Sequence, residues 1–181
     1  AASSLPVPAF NSFIPAELKV TGPAASVLEL ERHVELAMRR GRAVGGEIIV
    51  FGSGGARSLP DGFSRDIGMQ QIETFLRICG KHGAAYGVTV AIEPLNARES
   101  NIIRTVREAA ELAAKLDLPN VKVLADSYHM DLENESFEEI ERAVRSGLLA
   151  HVHISARNRR YPGTSGEAPD VDFARMFRIL R

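Results

Sequence analysis

Several features that would point to particular classes of protein are scarce or missing in this sequence. A single cysteine among 181 residues excludes an internal disulfide. The formal net charge of −1 offers no electrostatic case for nucleic acid, whose protein partners usually present a basic face. No apolar run approaches the roughly 20 residues of a membrane span. The first residues lack the basic-then-apolar layout of a signal peptide. We therefore expect a cytoplasmic protein without a membrane or nucleic-acid partner.

What is present is the composition of an ordinary globular domain. Hydrophobic residues make up 45% and charged residues 25% of the chain, and 181 residues suffice for one domain with a core. We expect residues 1–181 to belong to a single domain. Because the chain begins without methionine, we do not expect residue 1 to be the native start. Cys79 lies in the helical pattern FLRICGKHG, which favours a small buried apolar residue over a nucleophile.

Strand and helix patterns alternate along the chain. Short β-branched or apolar runs predict strands at 47–53, 88–92, 121–126 and 149–154, with a fragment at 7–10. Apolar periodicity predicts helices at about 26–44, 65–86, 103–116, 136–146 and 170–181. Ser26 is a plausible N-cap, and Ser136 with Glu139 has the spacing of a capping box. The glycine-rich stretch 52–64 matches no phosphate-binding spacing, so we interpret it as a plain loop between a strand and a helix.

This alternation indicates an α/β fold with a parallel sheet. Strands buried on both faces leave two usual choices, a doubly wound sheet or a TIM barrel. A doubly wound dinucleotide fold would concentrate its signature in one glycine-rich turn, which the sequence lacks. Chemistry-bearing residues instead end several strands, as is typical of TIM barrels. We predict a parallel (β/α)8 TIM barrel of which about five βα units are represented, since a whole barrel needs about 250 residues.

Three successive strands end in groups that bind metals. Glu93 ends the strand VTVAI, Asp126 ends VKVLAD, and His153 lies in LAHVHI. Each residue alone could have an ordinary structural role, as a salt-bridged strand end, a helix cap or a buried histidine. Their recurrence at the same position of consecutive units favours a metal site on one rim of the sheet. Oxygen and nitrogen ligands without thiolate suit Mn²⁺, Mg²⁺, Co²⁺ or Zn²⁺, and the two carboxylates favour Mn²⁺ or Mg²⁺.

Other polar residues lie near the same rim. His129 follows Asp126 by three residues and could reach a substrate oxygen, or it could be a surface histidine. His151 precedes His153 by two, so it points to the same side of the strand, where it could support the site from behind or fill a barrel layer. Glu99 and Arg159 are charged loop residues, and arginines in the run 157–160 could equally form a solvated charge cluster.

Four segments together resemble a known family. They are Glu93-Pro94-Leu95-Asn96 with Glu99 and Asn101, Asp126-Ser127-Tyr128-His129-Met130, His151-Val152-His153-Ile154, and Arg159 with Pro162-Gly163. In combination they are similar to the xylose isomerase-like TIM-barrel superfamily, from about Phe10 to the end of the chain. That superfamily includes D-tagatose and D-psicose 3-epimerases, hydroxypyruvate isomerase and inosose dehydratase. One departure is Ala97, where the epimerases often carry arginine.

The resemblance implies roles for these residues. Metal ligands would be Glu93, Asp126 and His153, and substrate oxygens would contact Glu99, His129 and Arg159. The implied activity is that of a sugar isomerase or epimerase, with Mn²⁺ as the expected metal and a sugar or polyol as substrate. Glu93 would move a proton next to a ketose carbonyl by way of a metal-stabilised enediolate.

In that family a second glutamate, on the last barrel strand, completes the ligand set. Its strand would follow Arg181, and Glu167 is a poor substitute, so we expect a protein ending at Arg181 to have little epimerase activity. A dehydratase of the same superfamily and a non-catalytic barrel that binds metal and sugar remain alternatives. An apurinic endonuclease is disfavoured by the five histidines and the neutral charge balance. The oligomeric state is left open, a homo-oligomer included.

Overall fold

The computed structural model describes residues 5–164, 166 and 170–181. Strands and helices alternate along nearly the whole chain, as predicted. In chain order the elements are β1 (Ala9–Phe10), α1 (Val27–Ala43), β2 (Ile48–Phe51), α2 (Gly54–Arg57), α3 (Arg65–Tyr86), β3 (Thr89–Ile92), α4 (Val106–Leu116), β4 (Val121–Asp126), α5 (Ser127–Leu132), α6 (Glu138–Arg145), β5 (Leu149–His153) and α7 (Phe173–Ile179).

The five strands form one parallel sheet whose spatial order is the chain order, β1 to β5. The register aligns the strand ends, with Phe51 opposite Ile92 and Asp126 opposite His153. A parallel sheet in sequence order, in which helices follow the strands, is half of a TIM barrel. The predicted fold class is thereby confirmed, with five strands present.

Helix boundaries follow local capping chemistry. Ser26 caps α1 by accepting a hydrogen bond from Glu29 N, and Gly87, at a φ of 67°, ends α3 as predicted. Helix α4 begins three residues later than predicted, because Ile103 has a φ of 55° and Thr105 is the residue that caps the helix.

The predicted capping box at Ser136 is not formed. Helix α6 begins at Glu138, and the Glu139 carboxylate accepts hydrogen bonds from Arg107 and Arg142 instead of reaching back to the cap. The carboxylate that the sequence pattern assigned to a local bond is therefore used for contacts between helices α4 and α6.

The larger core lies between the sheet and its helices. Phe51 and Phe75 pack there with ring centroids 4.8 Å apart and ring planes tilted by 46°, and Cys79 is fully buried in the same cluster. Burial raises the pKa of the Cys79 thiol well above its usual value, which agrees with a structural and unreactive residue. The opposite face of the sheet carries a small cluster of Val50, Ala91 and Leu124.

None of the helices in the described part of the chain is both long enough and apolar enough to cross a membrane.

Candidate functional site

The three predicted metal ligands meet at the carboxyl edge of the sheet. Glu93 directly follows β3, Asp126 ends β4 and His153 ends β5. His153 Nδ1 lies 2.9 Å from Glu93 Oε1 and 3.6 Å from Asp126 Oδ2. The two carboxylate side chains are only 12% exposed, and the imidazole is 25% exposed. Parallel strands in register thus bring two carboxylates and one imidazole into direct contact.

A glycine at the end of β2 makes room for Glu93. A Cβ atom added to Gly52 would lie 2.3 Å from Glu93 Oε2, which is too close for any real contact. The Glu93 main-chain N–H donates to Phe51 O at 3.1 Å, so the backbone of Glu93 is held against the end of β2. Sequence reasoning treated this glycine as part of a plain loop; the glycine directly after an apolar strand was the one signal available.

Asp126 serves the site and the helix that follows it. One carboxylate oxygen, Oδ1, accepts a hydrogen bond of 2.8 Å from Tyr128 N and caps the short helix α5. The other oxygen faces His153. Burial raises the pKa of the Asp126 carboxyl, but the hydrogen bond from His153, together with smaller effects that include the hydrogen bond from Tyr128, outweighs burial, and the net shift is downward. Asp126 is therefore held in its ionised form.

His153 is the electrostatic partner of both carboxylates. Hydrogen bonds with Asp126 and Glu93 raise the pKa of the His153 imidazole to about 9. His151 lies beside it, with the two rings 5.2 Å apart and edge to face. Burial, reinforced by the nearby charge of His153, lowers the pKa of the His151 imidazole. One histidine is thus cationic without a metal, and its neighbour favours the neutral form.

His129 is buried and its ring is anchored by Asn96. The main-chain N–H of Asn96 lies 3.2 Å and its side-chain amide nitrogen 2.8 Å from His129 Nδ1. Ligand atoms of Glu93, Asp126 and His129 lie within 4.8 Å of one another, so this triad could hold a metal ion on distance alone. The structure therefore offers two histidines, His129 and His153, as neighbours of the same two carboxylates.

Glu99 and Arg159 form an ion pair at the mouth of the site. Arg159 Nη1 lies 2.6 Å from Glu99 Oε1, and the guanidinium lies 4.9 Å from the centre of the Tyr128 ring. Burial raises the pKa of the Glu99 carboxyl, but hydrogen bonds from Arg159 and Asn96 shift it downward overall. Of the neighbouring arginines, Arg157 binds Asp131 instead.

A cleft of about 850 Å³ opens onto these groups. Its floor holds Glu93, Asp126 and His153, and its walls include His129, Glu99 and Arg159. The facing wall is made by residues 11–12, 14–16 and 52–55. All predicted metal and substrate residues therefore border one cleft, with the glycine-rich loop forming its other side.

Arg57 is a functional candidate that sequence reasoning missed. Its guanidinium is fully buried and donates to two main-chain oxygens, Phe51 O at 3.0 Å and Ile103 O at 3.1 Å. The same two oxygens accept the main-chain N–H groups of Glu93 and Leu95. Burial lowers the pKa of Arg57 to about 10, and the charge of Glu93 opposes that shift. Nothing in the local sequence distinguishes this arginine from a surface residue.

A half-barrel that gathers carboxylates and histidines at the carboxyl ends of its strands has the architecture of a TIM-barrel enzyme site. The chain belongs to the family described as xylose isomerase-like TIM barrel, whose model matches residues 1–181.

Two relatives and one solved structure illustrate the similarity. The chain is 31% identical over 118 residues to a 3-dehydro-D-guloside 4-epimerase of Escherichia coli, covering 65% of this chain and 43% of the relative. It is 36% identical over 77 residues to a D-psicose 3-epimerase of Agrobacterium fabrum, covering 42% and 26% respectively. A D-allulose 3-epimerase from Methylomonas sp., solved in complex with D-allulose, has 25% identity and a TM-score of 0.77, over 90% of this chain and 55% of that one. The chain thus spans less than half of these curated relatives.

Proposed function

We propose that this chain supplies the metal and substrate site of a divalent-metal-dependent sugar isomerase or epimerase, and that residues 1–181 are part of one TIM-barrel domain. The observation that carries the proposal is the convergence of Glu93, Asp126 and His153 at three neighbouring strand ends. The names of the relatives support the reaction class, since they are epimerases that act on ketoses or keto-glycosides.

The donor set fits a divalent cation. Two carboxylates and an imidazole supply oxygen and nitrogen ligands, which suit Mn²⁺ best, with Mg²⁺, Co²⁺ and Zn²⁺ as alternatives. Asp126 is already ionised, and the proton that joins His153 to both carboxylates occupies the position of a cation. A metal at this place would displace that proton and neutralise the same two carboxylates.

The residues around the cleft suit a proton transfer next to a carbonyl group. A bound divalent metal would supply Lewis acidity, which polarises the carbonyl and favours an enediolate. Glu93, at the end of β3, would accept and return the proton of the adjacent carbon. His129 and Arg159 would hold substrate oxygens, and Glu99 would orient Arg159 through their 2.6 Å contact. Behind them, His151 would support the orientation of His153.

Solvent exchange tests the proposal directly. The protein is loaded with Mn²⁺ and incubated with a ketohexose in D2O, and NMR follows deuterium entering the carbon next to the carbonyl. Exchange at one carbon needs a single base, whereas epimerisation needs a base on each face, so we expect exchange in the wild type and its loss in Glu93→Gln. Glu47→Gln is the matched control, because Glu47 lies at the opposite end of β2 and its side chain is largely exposed.

The outcome also separates the alternatives. Loss of a hydroxyl as water would identify a dehydratase, and binding of Mn²⁺ and sugar without any exchange would identify a binding protein without turnover. Exchange that persists in Glu93→Gln would contradict the role given to Glu93.

A further inference from the structure

We infer that Asn96 is a positioning residue that fixes the tautomer of His129, with the proton on Nε2 and the lone pair on Nδ1. His129 then faces the cleft as a neutral hydrogen-bond donor and not as a metal ligand. The tautomer itself follows from hydrogen-bond geometry, while its consequence for a metal and a sugar rests on the proposed function.

The His129 nitrogen that accepts a hydrogen bond is Nδ1. The main-chain N–H of Asn96 points at His129 Nδ1 over 3.2 Å, and a main-chain N–H can only donate. Nδ1 must therefore carry a lone pair. In a neutral imidazole the proton then belongs to Nε2.

Hydrogen bonds determine which way the side-chain amide of Asn96 points. Its Oδ1 accepts a hydrogen bond of 3.0 Å from Arg98 N, so the amide oxygen is turned towards the loop. The amide nitrogen therefore faces His129 Nδ1 at 2.8 Å and Glu99 Oε1 at 3.1 Å. An NH2 group has two protons, and each has one of these acceptors. Asn96 is itself 2% exposed, so water does not compete with these bonds.

These hydrogen bonds limit what the two ring nitrogens of His129 can still bind. Nδ1 already accepts from Asn96, and Nε2 bears a proton, so neither nitrogen offers a free lone pair to a metal. The closeness of His129 to Glu93 and Asp126, within 4.8 Å, is thus not coordination. The imidazole can instead donate from Nε2 to an anionic or carbonyl oxygen. The same amide also binds Glu99, so one buried residue orients two of the groups that line the cleft.

The test reads the tautomer by NMR. Long-range ¹H–¹⁵N spectra of the ¹⁵N-labelled, metal-free protein distinguish Nε2–H, Nδ1–H and imidazolium forms, and the His129→Gln variant assigns the signals. Spectra are recorded at mildly alkaline pH, above the ordinary pKa of an imidazole. We expect the Nε2–H pattern for His129 in the wild type. An Nδ1–H pattern in the wild type would overturn the inference without any variant of Asn96.

Two variants test the contribution of the Asn96 side-chain amide to the tautomer of His129. Asn96→Asp puts an acceptor next to Nδ1 in place of the amide donor and leaves the main-chain N–H of residue 96 as the remaining donor, so we expect Nδ1 to become protonated in a measurable fraction of the molecules. Asn101→Asp is the matched control in the same loop, since the Asn101 side chain exchanges hydrogen bonds with the main chain of Leu59. A folded Asn96→Asp protein with an unchanged His129 pattern would contradict the role of the amide.

Zn²⁺ then separates this inference from the proposed function. Added Zn²⁺ should shift the His153 nitrogens and leave the Nε2 proton of His129 in place. Loss of that proton on binding would make His129 a ligand and overturn the inference. Zn²⁺ that perturbs no histidine would defeat the proposed metal site, while the metal-free spectra would still decide the tautomer.

Discussion

At the scale of single residues, the site depends on contacts between groups that are far apart in sequence. Glu93 and His153 are separated by 60 positions, yet their side chains lie 2.9 Å apart. The strand-end positions of Glu93, Asp126 and His153 predicted this cluster from the sequence. Gly52 and Asn96 were not predicted as parts of the site, because their importance lies in what stands next to them in space.

Gly52 should be more important for metal binding than for folding. In Gly52→Ala the new Cβ meets the end of the flexible Glu93 side chain, so the carboxylate can move aside while the backbone stays. We expect a native circular dichroism spectrum and an affinity for Mn²⁺ that falls by about 10- to 100-fold, as for lost supporting contacts at metal sites. Gly41→Ala is the control, since its Cβ would meet neighbours at an ordinary 3.6 Å. An unchanged Mn²⁺ affinity in Gly52→Ala would contradict this prediction.

His153 should make the stability of the metal-free protein depend on pH. Its folded pKa of about 9 lies above the ordinary value of 6.5. Because the folded state binds the proton more tightly, the stabilisation is complete below about pH 6.5 and is lost as the pH rises through 9. Urea unfolding in the presence of a chelator should show this alkaline loss.

Two variants test whether His153 causes the loss of stability at alkaline pH. His153→Gln should remove the alkaline dependence. His151→Gln should leave it unchanged, because the pKa of His151 is lowered and any linked loss falls on the acidic side. A wild-type profile that is flat between pH 6.5 and 9 would contradict the ion pair with Glu93 and Asp126.

At the scale of elements, predictions succeeded where the signal was local. Helices α1 and α3 were bounded correctly because Ser26 caps one and Gly87 ends the other. The short helices α2 and α5 were missed, since one turn of helix leaves no apolar period to detect. The predicted cap of α6 failed because Glu139 is engaged by Arg107 of another helix, which no local pattern reveals.

Arg57 connects two parts of the chain that are distant in sequence. Its two donors reach Phe51 O at the end of β2 and Ile103 O in the loop before α4. In Arg57→Lys a single ammonium cannot reach both oxygens, so we expect the free energy of unfolding to fall by about 1.5–3 kcal/mol, the usual contribution of one buried charged hydrogen bond. Urea denaturation measures it.

Arg65→Lys is the control for that substitution. Arg65 also donates to the same loop, at Asn101 O, but its side chain is exposed, so the expected change is below about 1 kcal/mol. Equal losses in the two variants would show that the burial of Arg57 confers no special role.

At the scale of the whole molecule, the sheet is open at β1 and β5 in the described residues, and the site lies along one edge of it. The alternation of strands and helices sufficed to predict this parallel half-barrel, because each βα unit is local in sequence. The cleft between the segment that follows β1 and the ends of β3 to β5 could not be predicted, since it depends on the curvature of the whole sheet.

A metal at this edge would link the ends of three strands, so it should stabilise the whole molecule. A ligand that binds only the folded state adds about 2.7 kcal/mol at 100 times its Kd. We expect Mn²⁺ to raise the Tm of the protein in calorimetry. Asp126→Asn should abolish the rise, because the amide keeps the N-cap of α5 but loses the negative charge. Asp131→Asn, which removes a carboxylate bound to Arg157 outside the cleft, should keep it. A Tm that rises equally in both variants would mean that Mn²⁺ binds elsewhere, and the proposed site would be wrong.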